Sequence, residues 1–107
     1  MEGTILYPEP LYSLDFSALS SSYALVAQLQ NPSVIFQIQN LTNQTITYSF
    51  DGQNDHLKLP ANGFFLVDVS ANKSLARSLN IQQGQTIYAK GTASAGEVTV
   101  TSFYVVR

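Results

Sequence analysis

The sequence predicts an all-β fold, an antiparallel β-sandwich or jelly-roll-like barrel preceded by an extended N-terminal arm. Three observations carry this prediction. Apolar and polar residues alternate over short runs, most plainly in Val34-Ile35-Phe36-Gln37-Ile38-Gln39-Asn40 and Thr45-Ile46-Thr47-Tyr48-Ser49-Phe50. That period of two marks strands with one buried face. Turn residues recur roughly every eight to twelve positions, the cue for a sandwich or barrel. The chain has 107 residues, 45% of them hydrophobic and 11% charged. One domain with one core is expected, because disordered chains are poor in apolar residues and rich in charge.

Residues 1–20 read as the arm and residues 21–107 as the sandwich. Pro8 and Pro10 flank Glu9 and keep the backbone extended, since proline disfavours helix at the residue before it. Ile5, Leu6, Tyr7, Leu11, Tyr12, Leu14 and Phe16 make the arm too apolar for solvent. Two placements would bury them: along the domain's own surface, or across a neighbouring subunit. These seven residues are the candidate partner-binding set.

Ser20-Ser21-Ser22 closes the arm. Tyr23 to Leu29 reads as a strand with Tyr23, Leu25, Ala27 and Leu29 on one face. After the Asn31-Pro32 turn, the run to Asn40 and the run from Thr45 to Phe50 are expected to pair as a hairpin across Leu41-Thr42-Asn43-Gln44. Asp51-Gly52 begins a tight turn, because glycine supplies the positive φ such turns need. The loop continues to His56, and Leu57-Lys58-Leu59 is a short strand stopped by Pro60.

Asn62-Gly63 marks the next turn, and Phe64 to Val69 is a nearly continuous apolar strand. Its one polar member, Asp68, is expected to need backbone amides, Lys73 or Lys90 as partners. From Ala71 to Asn80 the pattern admits a helical turn capped by Asn72, with Leu75 and Leu79 on one side, or an irregular loop. Thr86 to Gly91 and Glu97 to Val106 then read as a last hairpin joined by Thr92–Gly96.

Composition removes several function classes. Lys58, Lys73, Arg77, Lys90 and Arg107 are dispersed in a chain of net charge −2. Phosphate binding needs cations gathered on one face, so no nucleic-acid role is expected. With no cysteine there are no disulfides or thiolate metal sites, which points to synthesis in a reducing cytoplasm. The N-terminus lacks a cationic region followed by a long apolar run, and no stretch is long enough to span a bilayer. No membrane partner is expected. Asn40-Leu41-Thr42, Asn43-Gln44-Thr45 and Asn72-Lys73-Ser74 match the glycosylation pattern but read as polar turns.

Candidate chemistry centres on one loop. Ser49, Asp51, Asp55 and His56 contain the residue types of a nucleophile, an orienting carboxylate and a base. The loop has no nucleophile elbow and sits at a hairpin tip open to water, so turn-building is the stronger reading. Asp51, Asn54 and Asp55 offer hard oxygen ligands, but without the spacing of a calcium loop. No metal, cofactor or catalytic residue is expected, and the chain reads as a non-enzyme. The six tyrosines, Tyr7, Tyr12, Tyr23, Tyr48, Tyr88 and Tyr104, keep open a sugar-binding platform.

The turn and strand-end motifs carry a resemblance. Ser49-Phe50-Asp51-Gly52, Asn54-Asp55-His56 and Leu59-Pro60-Ala61-Asn62-Gly63 look like those of small structural proteins encoded by tailed bacteriophages. Asp68…Ala71-Asn72-Lys73, Gly84-Gln85-Thr86-Ile87-Tyr88-Ala89-Lys90-Gly91 and Gly96-Glu97-Val98 fit the same group, so the likeness covers residues 22–105. It implies a virion protein made in the host bacterial cytoplasm and present in multiple copies or as a homo-oligomer. Its partners would be capsid, portal, neck or tail subunits. Residues 3–16 would reach the partner, and the loops Asp51–His56 and Ala93–Ala95 would meet solvent or another subunit.

Overall fold

The computed structural model describes residues 5–68 and 84–106. The Ala71–Asn80 segment, Val69, and the Lys73 expected beside Asp68 lie outside them. The described elements are β1 (Ile5–Pro8), β2 (Tyr12–Asp15), a 3-10 turn (Phe16–Ala18), β3 (Ala24–Gln28), β4 (Ile35–Asn40), β5 (Ile46–Ser49), β6 (Leu57–Leu59), β7 (Phe64–Asp68), β8 (Thr86–Lys90) and β9 (Glu97–Val106). They form two antiparallel sheets. One runs β1-β9-β4-β7, with β2 also on β9; the other runs β3-β8-β5-β6. With β1 and β2 counted as halves of one interrupted strand, eight strands divide equally between two sheets, and the order is that of a jelly-roll sandwich.

Two expected hairpins are therefore not hairpins. β4 pairs with β9 and β7, whereas β5 pairs with β8 and β6. The connection at Leu41–Gln44 carries the chain from one sheet to the other. The connection between β8 and β9 does the same. Both crossings are short, and alternation alone cannot distinguish a short crossing from a hairpin turn. Only the Asp51-Gly52 loop, between β5 and β6, joins two paired strands as expected.

The core lies between the inward faces. Phe36 and Ile38 of β4, Ile46 and Tyr48 of β5, Ile87 and Ala89 of β8, and Val98 and Val100 of β9 are buried. Each large apolar side chain so placed contributes about 1.5–3 kcal/mol relative to exposure. In β3 the expected face is interrupted. The register shifts between Leu25 and Ala27, so Val26 and Ala27 are both buried while Leu25 is exposed. A bulge of this kind puts two residues opposite one and ends strict alternation. β7 differs too: Phe65 and Val67 pack on the core, but Phe64, Leu66 and Asp68 are exposed. Asp68 is not a buried carboxylate; it stands on the outer face of an edge strand.

Residues 5–15 run along β9 of the same chain. β1 pairs from Ile5↔Val106 to Pro8↔Phe103, and β2 from Tyr12↔Val100 to Asp15↔Glu97. Three arm residues, Glu9 to Leu11, thus stand opposite two on β9. The kink follows from Pro8 and Pro10, which have no N–H to give to a ladder. The Glu9 N–H still reaches the Ser102 carbonyl, at 2.9 Å. Its carboxylate is buried and accepts from the Tyr12 hydroxyl and from the amides of Gln30 and Asn31, each at 3.1 Å. Burial, and then the Glu9 carboxylate, push the Tyr12 phenol up to about 12. A buried carboxylate is tolerated when it is bonded this fully.

Asn40 closes one end of the sandwich. Its Nδ2 donates to the carbonyls of Gln44 at 2.8 Å, Leu59 at 3.0 Å and Pro60 at 3.0 Å. Its Oδ1 accepts from the Thr42 amide at 3.0 Å and the Thr42 hydroxyl at 2.6 Å. This Asn is fully buried, so the first glycosylation pattern has its acceptor side chain inside the protein. Close by, Gly96 has φ +97, and a Cβ there would fall 2.1 Å from the Leu41 carbonyl oxygen.

Two stability outcomes follow. Asn40→Ala takes a donor from the buried Leu59 carbonyl and leaves the buried Thr42 amide without its acceptor, each costing about 1–3 kcal/mol, while the Pro60 and Gln44 carbonyls keep the Gly63 amide and the Thr42 hydroxyl. Urea denaturation should show a loss of about 3 kcal/mol or more. The Tyr48 hydroxyl is buried with no hydrogen-bond partner among the described residues, and burial drives its pKa upward. Tyr48→Phe should leave stability unchanged or raise it by up to about 1 kcal/mol. A clear loss in the same assay would show that the hydroxyl is bonded.

Candidate functional site

The loop between β5 and β6 is held by its own polar side chains. Ser49 Oγ donates to Asp51 Oδ1 at 2.8 Å and accepts the amides of Asp51 at 3.2 Å and Gly52 at 2.8 Å. Asp51 Oδ1 also accepts the amides of Gln53 at 2.8 Å and Asn54 at 2.9 Å, while Oδ2 takes the Asn54 side-chain amide at 2.8 Å. Asp51 is thus the centre of a turn in which an Asx side chain replaces missing backbone acceptors. The amides of Asn54 and Gln53, the largest influences, hold its carboxyl far below the usual carboxylate range.

The residue types expected of a catalytic set are placed for other work. The single Ser49 hydroxyl hydrogen is directed at Asp51, and His56 Nδ1 accepts the Phe50 amide at 3.0 Å. Ser49 and His56 each hold the loop rather than each other. The His56 ring also lies against Phe50, with centroids 5.6 Å apart. Phe50 is anchored from the far side, where its carbonyl accepts from Gln85 Nε2 and Thr86 Oγ1, both at 3.1 Å.

The loop folds back over the outer face of the second sheet. Gly52, at φ +79, sits so close to Tyr88 that a Cβ would lie 3.2 Å from its ring. Asp55 accepts from the Tyr23 hydroxyl and pairs with Lys90 at 3.1 Å. Lys90 Nζ lies 4.6 Å from the centroid of the Tyr23 ring, a cation–π distance. The hydrogen bond from Tyr23, then Lys90, lower the Asp55 pKa, and burial followed by Asp55 raises Tyr23 to about 12. Lys90 therefore serves Asp55. The sequence named Lys90 as a partner for Asp68; it missed Asp55 because the loop's return over β8 has no local signal.

Of the oxygen ligands considered for a cation, the carboxylates of Asp51 and Asp55 are likewise engaged by protein donors. Among the described residues no group of three or more His, Asp or Glu side chains is placed to hold a metal ion. At the opposite end, the Ala93–Ala95 loop is tied to the β4–β5 crossing: Asn43 Nδ2 donates to Ser94 Oγ at 2.7 Å, and the Ser94 amide returns to Asn43 Oδ1 at 3.0 Å.

The candidate partner-binding residues divide by side chain. Tyr12 and Leu14 pack against the core, and Phe16 is half-buried. Tyr7 stacks on Tyr104 at 5.7 Å and stays exposed, as does Leu11. Ile5 and Leu6 contribute backbone pairing to β9. What the sequence did not single out is the exposed pair Phe64 and Leu66. They sit on β7, two residues apart, beside Gln37 and Gln39 of β4. Their trace in the sequence is the unbroken apolar run Phe64–Val67, which does not by itself say which face is buried.

No family model, no curated protein and no solved structure matches the chain. Among the described residues no helix is long and apolar enough to cross a membrane.

The depressed Asp51 pKa sets the direction of an acid response. Its contribution is fully present above the unfolded-state pKa of about 3.9 and is lost as pH falls through the lower folded value. Asp51→Asn should be less stable than the parent at pH 7. The gap should narrow as pH drops from about 5 toward 2. Urea midpoints across that range provide the check, and a gap constant with pH would remove the ionised turn as its cause.

Proposed function

We propose that this chain is a non-enzymatic structural protein of a tailed-phage virion, docking onto capsid, neck or tail subunits as one of many copies. The observation that carries this reading is how the side chains are used. The polar groups suited to chemistry are consumed in building turns, while four of the six exposed large apolar side chains among the described residues, Tyr7, Leu11, Phe64 and Leu66, lie on or beside one sheet. Exposed apolar groups gathered on a face mark an interaction surface. The jelly-roll order adds support by analogy, since the fold recurs in capsid domains. The phage-like turn motifs supply the choice of particle.

A second reading has its own observation. Tyr23 and Tyr88 lie with Asp55 and Lys90 on the outer face of the second sheet, an aromatic and hydrogen-bonding mixture of the kind that holds sugars. Jelly rolls are also lectin folds.

The test is the composition of the particle. Mass spectrometry of purified virions from the cell that carries the gene should find the chain at a fixed ratio to the major capsid protein. Absence from particles would end the structural reading. Saturable binding on a glycan array, abolished by Tyr23→Ala or Tyr88→Ala, would establish the second.

A further inference from the structure

We infer that the outer face of the β1-β9-β4-β7 sheet is a self-association surface, packing on the same face of a second copy about a two-fold axis parallel to the strands. The inference deepens the assembly reading and rests on it for its setting; the geometry stands separately.

The pairing register lays out this face in rows. Leu66 of β7 lies beside Gln37 of β4, which lies beside Thr101 of β9. Leu11 stands at the far edge beside that row, one residue before Tyr12, which pairs with Val100. Phe64 occupies the next row, beside Gln39. Leu11, Phe64 and Leu66 are exposed at 63%, 60% and 50%, the three highest values among the large hydrophobics. They therefore flank a central strip of uncharged amide and hydroxyl side chains. Such a strip is less costly to desolvate than a charged one.

Charge on this face is arranged by corner. Asp68 ends β7 beside Ile35, at one end of one edge. Asp15 and its neighbour Glu97 lie at the opposite end, on the β2 side. Both described cations, Lys58 and Lys90, belong to β6 and β8 of the other sheet.

A two-fold axis along the strands exchanges the two edges and preserves position along them. Leu66 and Phe64 of one copy then meet the Leu11 edge of the other, and the contact occurs twice. Among the described residues the diagonal acidic corners never meet each other, since each falls on an uncharged corner of its partner. An isologous contact requires this self-complementarity. Stacking head to tail on the other sheet would instead set the neutral strip against the Lys90–Asp55–Tyr23 cluster. The size is adequate for a reversible contact. Four strands about 4.8 Å apart and seven residues at about 3.3 Å give roughly 400 Å² in projection. Burying this on both copies approaches the ~1,000 Å² at which specific interfaces begin.

Sedimentation equilibrium from micromolar to millimolar concentration should show a monomer–dimer equilibrium. Leu66→Lys and Leu11→Glu should each weaken it about ten-fold or more, with unchanged circular dichroism. Combining them should restore dimerisation, because each copy's lysine then faces its partner's glutamate. A monomer at every concentration overturns the proposal. So does a dimer indifferent to both substitutions, or one weakened by Leu25→Lys on the other sheet and not by Leu66→Lys. A chain found in virions but monomeric in solution overturns this contact alone; a dimer absent from virions overturns the structural reading alone.

Discussion

The Asn40 carboxamide is the interaction on which the rest of the sandwich depends. Of the places where the chain passes between sheets, those after β4, after β6 and after β8 gather at the end of the molecule where Asn40 lies. A crossing takes backbone out of both ladders, leaving carbonyls and amides that must be bonded elsewhere. Asn40 answers for the first two, joining Gln44 and Thr42 on one side to Leu59 and Pro60 on the other. The third is held against them by the Leu41 amide bond to the Glu97 carbonyl at 2.9 Å. It is packed so closely that only a residue without a Cβ fits at position 96. One short polar side chain thus sets the spacing of the two sheets at that end.

This division of labour extends to the surface. Polar side chains at the ends of the sandwich are spent on turns, as with Asp51, Asn40 and Asn43, while the broad faces carry what is left. The two faces differ in kind. One bears both described lysines, the Asp55 cluster and the exposed Leu25, the other amides, threonines and several apolar knobs with acidic corners. These two faces are the physical basis of the docking role proposed for this chain.

Much of the fold was legible because burial in a sheet imposes a period of two. Phe36 and Ile38, Ile46 and Tyr48, and Val98 and Val100 occupy the inward positions their alternation indicates. Partner choice was not legible. Alternation states which face of a strand is wet and nothing about which strand lies beside it, so β4 and β5 looked like a hairpin. The bulge at Leu25–Ala27 escaped because one inserted residue changes the face without changing composition. Of the candidate site, the Asp51 turn could be read locally, since all its bonds span three residues or fewer. The Asp55–Lys90–Tyr23 contact spans more than thirty residues in sequence and leaves no local trace.

β9 has a consequence in time as well as space. It follows every other described strand in sequence, yet it lies between β4 on one side and β1 with β2 on the other. Its partners include the first described residues of the chain, Ile5 against Val106. During synthesis the arm and the β9-facing edge of β4 must therefore wait unsatisfied until the ten-residue β9 leaves the ribosome. The β5–β6 hairpin, by contrast, closes on local contacts alone. Contacts so distant in sequence form slowly, and waiting edges pair readily with wrong partners. The yield of native protein is then governed by how long the nascent chain stays without β9, so translation rate and temperature become levers on its solubility.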